Sequence, residues 1–128
     1  MHDIVLSRRD AAALSAVIAD SIARSPAERD AAATLADTLA EARVVESRPG
    51  SVAALDTTVT YAELPSGARR TITLVHPSRA DASRQRVSVF APVARALIGR
   101  RAGARVEARL PDGAVRELVV AAVEPAAG

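Results

Sequence analysis

The chain reads as an α+β protein in which an N-terminal short antiparallel helical hairpin leads into an antiparallel β-sheet domain holding one short helix. Three observations predict this. Apolar residues recur at spacings of three and four through the first third. The period drops to two after Arg48-Pro49-Gly50-Ser51, a natural joint. Two Leu-Pro-x-Gly turns then divide the later strands. The joint assigns residues 1–47 to the hairpin and residues 48–128 to the sheet domain.

Each element has a local cause. Ser7-Arg8-Arg9-Asp10 supplies an N-cap with an acid at N3. Leu14, Val17, Ile18 and Ile22 then form one apolar stripe. Ser25-Pro26-Ala27-Glu28 breaks the first helix and starts the second: Ser25 caps, Pro26 fits N1, and Glu28 closes the capping box. Leu35, Leu39 and Ala42 carry the stripe onward among helix-favouring alanines. So short a connection folds the helices back antiparallel, and arms of about 17 residues reach only ~25 Å.

Beyond the joint, Thr57–Tyr61 and Arg70–Val75 flank Leu64-Pro65-Ser66-Gly67, while Val106–Leu110 and Val115–Val123 flank Leu110-Pro111-Asp112-Gly113. Proline, a small polar residue and a left-handed glycine predict a type I turn with a bulge in both hairpins. Between them lie a strand, Arg86–Phe90, and a helix from Pro92 to its C′ residue Gly99. That helix packs under the sheet through Val93, Leu97 and Ile98.

Composition removes whole classes of function. Without Cys there is no disulfide framework, thiolate zinc site or cysteine nucleophile. No apolar run approaches the ~20 residues of a membrane span, so no membrane association is expected. The start MHDIVLSRRD lacks the pattern of a signal peptide, which predicts a cytoplasmic protein. The pI of about 10.3 invites a nucleic-acid reading, but 15 acids offset 17 bases, all of them Arg, and leave a net charge of +2. Aromatics make up 2% of the chain. A sequence-independent phosphate binder concentrates its cations and uses aromatics to stack bases, so direct nucleic-acid contact is not expected as the main function. Neither a P-loop nor a G-x-G-x-x-G motif is present, and no cofactor is called for. His2 and His76 have no companions for a metal site or a triad.

One stretch is recognisable. SVFAPVARALIGRRAGARVEARLPDGAVRELVV, Ser88 to Val120, resembles the C-terminal domain of the bacterial Gre transcription elongation factors. The likeness lies in a strand ending before Pro92, Ala96-Leu97-Ile98-Gly99, the pair Arg100-Arg101, Gly103, and a strand into a P-x-G hairpin. Upstream, Thr73-Leu74-Val75-His76-Pro77 resembles that family's T-L-V-x-P segment, so the resemblance runs from Leu55 to Val123. It departs at Gly103-Ala104, where family members usually have Gly-Asp.

The resemblance implies an FKBP-like fold and binding to RNA polymerase at the rim of its secondary channel. It places the contact loop at Phe90, Ala91 and Pro92, of which only the proline keeps the family's Asp-Ser-Pro. Phe90 reads equally as core at a strand end, and Pro92 as helix N1. Arg100, Arg101, Arg105 and Arg109 form the densest basic cluster, either a solvated rim or a contact for acidic residues of a partner. Prolyl isomerisation, which an FKBP-like fold suggests, needs an aromatic-lined pocket that one Tyr and one Phe cannot build.

Cleavage-stimulating Gre factors carry a longer coiled coil with acids at its tip that help hold Mg²⁺. Glu28 and Asp30 occupy that position here. Both read instead as helix-start acids, since a ~25 Å arm does not traverse a deep channel. The short form resembles the group typified by the regulator of nucleoside diphosphate kinase, with its stunted coiled coil. That implies a non-enzymatic regulator that competes for polymerase; the alternative is a Gre-type factor that stimulates transcript cleavage.

Overall fold

The computed structural model describes residues 4–21, 25–46, 52–110 and 112–125. Both helix starts form where their caps stand. The Ser7 hydroxyl accepts from Asp10 N–H at 3.0 Å and begins helix α1, Arg8–Ser21. The Ser25 hydroxyl accepts from Glu28 N–H at 3.2 Å and begins α2, Pro26–Glu41, with Pro26 in the first turn. The second capping box closes from one side only. Glu28 Oε2 is buried without a hydrogen-bond partner, so the carboxylate does not return the bond expected of it.

A feature absent from the sequence reading ties the base of the hairpin. Strand β1, Val5–Ser7, runs directly into α1, and β2, Arg43–Val45, follows α2 after a single residue. The two strands pair in parallel, Val5 opposite Arg43 and Ser7 opposite Val45. This brings the start of α1 and the end of α2 together, so the helices run antiparallel. Arg8 and Glu46 add an ion pair at 2.8 Å, which both side chains' exposure reduces to a few tenths of a kcal/mol.

The apolar stripe is buried as its spacing requires. Leu14, Val17 and Leu35 are buried, with Ile18, Leu39 and Ala42 packed beside them, while Ile22 lies outside the described residues. The arms are 14 and 16 residues, slightly shorter than expected.

The larger sheet is ordered β5-β4-β3-β7-β6, with β3 Thr57–Leu64, β4 Ala68–Val75, β5 Arg86–Ser88, β6 Arg105–Arg109 and β7 Val115–Pro125. It is mixed rather than antiparallel, because edge strand β5 runs parallel to β4. Residues 76–85 make the crossover through two short 3₁₀ turns, Pro77–Arg79 and Ala82–Arg84. Both are capped by side chains: His76 Nδ1 accepts from Ser78 N–H at 3.0 Å, and Asp81 Oδ1 accepts from Ser83 N–H at 3.1 Å. A crossover returns the chain in its original direction, which a tight hairpin cannot do.

The two Leu-Pro-x-Gly turns differ. In the second, Gly113 N–H reaches Leu110 C=O at 2.9 Å, and Leu110 N–H reaches Ala114 C=O at 2.8 Å. With Gly113 at φ +88°, this is the expected turn with a glycine bulge. In the first, Glu63 faces Ala68 across four loop residues, and Gly67 N–H bonds to Glu63 C=O at 2.7 Å. The extra loop residue makes this a wider i to i+4 turn in place of the expected type I turn. Residue alternation puts Val59, Tyr61, Leu118 and Val120 on the inner face, all buried. Thr58–Thr73 and Thr60–Thr71 hydroxyl pairs, at 2.9 and 3.0 Å, line the outer face.

Helix α3, Pro92–Leu97, packs beside β6 and buries Ala94 and Leu97, followed by buried Ile98. Val93 is only partly buried. Gly99 then takes φ +79°, the left-handed C′ position. Its carbonyl accepts from Val5 N–H at 2.9 Å, and its N–H donates to Ala53 C=O at 2.8 Å. The hairpin base is therefore bonded to the end of α3, and Leu6, Leu14, Val17 and Leu35 share one core with the sheet.

Candidate partner-binding surface

The loop from β5 to α3 is fixed by Ser88. Its hydroxyl accepts from Phe90 N–H at 3.0 Å, and its carbonyl accepts from Ala91 N–H at 2.9 Å. Ala91 is the N-cap of α3 and offers no side-chain cap, so Pro92 at N1 serves the helix start by having no N–H to satisfy. Phe90 is half-buried and packs against the core.

Phe90, Pro92 and Arg100 line one cleft, opposite Asp30 of α2. Two elements far apart in sequence thus face each other, and the acid placed at the hairpin tip looks onto the loop of the sheet domain. Ala91, Arg101 and Glu28 lie outside that lining. Arg101 is exposed on the turn after α3, bridged through its backbone to Val52. The basic cluster is split: Arg105 pairs with Glu117 at 3.9 Å, whereas Arg109 joins Arg100 in the cleft.

Arg95, Glu107 and Thr34 also line the cleft, and the sequence reading passed over them. Arg95 was detectable by helical spacing, since it stands three residues after Pro92 and so shares its face of α3. Burial pushes its guanidinium below the usual value, and its Nε is buried without a hydrogen-bond partner. No such signal marked Thr34 or Glu107, whose place depends on how α2 lies over the sheet domain.

His76 has a turn role, and its Nε2 additionally approaches Asp20 of α1 at 3.8 Å. Among the described residues there is no group of three or more His, Cys, Asp or Glu side chains placed to hold a metal ion. No helix among them is long and apolar enough to cross a membrane.

Residues 48–125 match the family described as transcription elongation factor, GreA/GreB, C-term. The chain belongs to this family. Across 81 residues it is 33% identical to transcription elongation factor GreA of Bacillus subtilis, covering 62% of this chain and 52% of that protein. Across 79 residues it is 35% identical to the regulator of nucleoside diphosphate kinase of Escherichia coli, covering 62% and 58%. The chain thus spans about half the length of the curated relatives it matches. A solved prokaryotic transcription elongation factor GreA/GreB from Nitrosomonas europaea is similar over nearly its whole length. It is 30% identical, has a TM-score of 0.70, and the match covers 97% of this chain and 99% of that one. Both parts of the fold, hairpin and sheet domain, therefore recur together in a GreA/GreB-type structure.

Proposed function

We propose that this protein regulates transcription by binding RNA polymerase at the rim of the secondary channel, where it competes with Gre-type factors without stimulating transcript cleavage. In this reading residues 48–128 provide the grip, through Phe90, Ala91, Pro92, Arg100 and Arg101, and the protein acts by occupancy alone. The observation that carries it is the hairpin. At ~1.5 Å per residue, arms of 14 and 16 residues extend only about 21–24 Å. One of the two acids near its tip, Asp30, lines a cleft against the sheet domain, a placement that supports a use for it other than holding a metal ion in the polymerase.

The test is a reconstituted backtracked elongation complex, with and without a competing Gre factor. The protein should bind core polymerase, slow Gre-stimulated cleavage in proportion to its concentration, and shorten no transcript itself. Phe90→Asp combined with Arg101→Glu should weaken binding by ~10-fold or more, as expected when an interface anchor and a rim charge are reversed. Mg²⁺-dependent transcript shortening that disappears in Glu28→Ala/Asp30→Ala would establish the cleavage-factor alternative. Failure to bind polymerase would overturn both readings.

A further inference from the structure

The cleft between α2, α3 and β6 has a lining suited to a small ligand. Its volume is about 810 Å³, within the range of small-molecule sites. Phe90, Pro92, Ala31 and Leu110 make an apolar wall. Arg95 and Arg109 line the same cleft, as do Asp30 and Glu107. Among the described residues none of these four charged side chains makes an ion pair with another. The Nε of Arg95 is buried without a hydrogen-bond partner, an arrangement that costs free energy.

We infer that this cleft binds a nucleoside phosphate. Phosphate oxygens are the acceptors that planar guanidinium forks suit best, and Arg95 and Arg109 supply two. The half-exposed ring of Phe90 offers a face for a base. The carboxylates favour a nucleotide over an inorganic anion. Asp30 and Glu107 would repel a bare phosphate, but they accept hydrogen bonds from sugar hydroxyls or base amino groups. The site uses side chains in place of a glycine-rich loop, which is why no phosphate-binding motif marks it in the sequence. It shares Phe90 and Pro92 with the polymerase contact proposed above, but its test needs no polymerase, because the ligand is held by this chain alone.

The experiment titrates fluorescent ATP and GTP analogues into the full chain, with polymerase absent, and then competes with unlabelled nucleotide, nucleoside and inorganic pyrophosphate. Saturable binding is expected, weakening with salt. Arg109→Gln, at an exposed strand position, should keep the fold and reduce affinity by ~10-fold, the value of one charge-assisted hydrogen bond. Arg95→Gln should do the same, with circular dichroism to verify its folding. Arg69→Gln, three strands away on β4, should bind as the parent does. The inference is overturned if binding does not saturate, or if Arg109→Gln binds unchanged. Pyrophosphate competing as well as the nucleotide would overturn the nucleoside assignment, and nucleoside alone doing so would overturn the phosphate contact.

Discussion

Replacing Gly99 by Ala tests how the N-terminal strand is joined to the sheet domain. Two costs add at this position. Gly99 sits at φ +79°, where any residue with a Cβ loses about 1 kcal/mol relative to glycine. A Cβ built there also collides with the Ile4 side chain. Ile4 is only 4% exposed, so it cannot swing aside without losing much of a burial worth ~1.5–3 kcal/mol. The sum is about 2.5–4 kcal/mol, or roughly 8–20 °C in Tm for a chain of this size. Gly103→Ala is the internal standard. Its φ is +94° with nothing within 4 Å of the new Cβ, so it should cost only the backbone share of about 1 kcal/mol. Urea unfolding followed by circular dichroism reads both variants. Combining Gly99→Ala with Ile4→Ala should recover ~1–2 kcal/mol of coupling, because the shortened side chain makes room for the methyl. If Gly99→Ala is no worse than Gly103→Ala, or if the double variant shows no coupling, the contact between Ile4 and the end of α3 is not as described.

Two further outcomes follow from buried polar groups. The Thr57 hydroxyl, in a residue 2% exposed, donates to Ala54 C=O at 2.7 Å and accepts from Ala54 N–H at 3.0 Å. Thr57→Val keeps the shape but strands the Ala54 N–H, while Ala54 C=O keeps the Thr57 N–H at 3.2 Å. It should cost ~1–3 kcal/mol and exceed the cost of Thr57→Ser, and the reverse order in urea midpoints would refute the role of the hydroxyl. Burial, followed by the nearby Glu63 carboxylate, raises the pKa of Tyr61 above 10.0, with Arg70 and Arg116 opposing. Its folded pKa exceeds its unfolded one, so the stability it contributes is complete below pH 10.0 and is lost as pH rises through the folded value. As the only tyrosine, it can be titrated alone by tyrosinate absorbance, with a midpoint expected above 10.0 in the native state. Tyr61→Phe should flatten the alkaline fall in stability, and an unchanged slope would assign that fall to other groups.

The elements legible in the sequence are those with local causes. Ser7 and Ser25 capped helices where they stood, Pro92 and Gly99 bounded α3, and Asp112-Gly113 shaped their turn, because caps and turns are settled within a few residues. The family was legible too, since it rested on an ordered run of residues within 48–125. Contacts between distant segments were not. The parallel strand β5 followed from a ten-residue crossover with little periodicity, and the pairing of β1 with β2 joins residues separated by the whole hairpin. Hydrophobic pattern shows which face is buried and not what covers it. Only the tertiary structure set Asp30 across from Phe90 and gathered Arg95, Glu107 and Arg109 on the same cleft, because that depends on the angle at which the hairpin is packed and bonded onto the sheet domain.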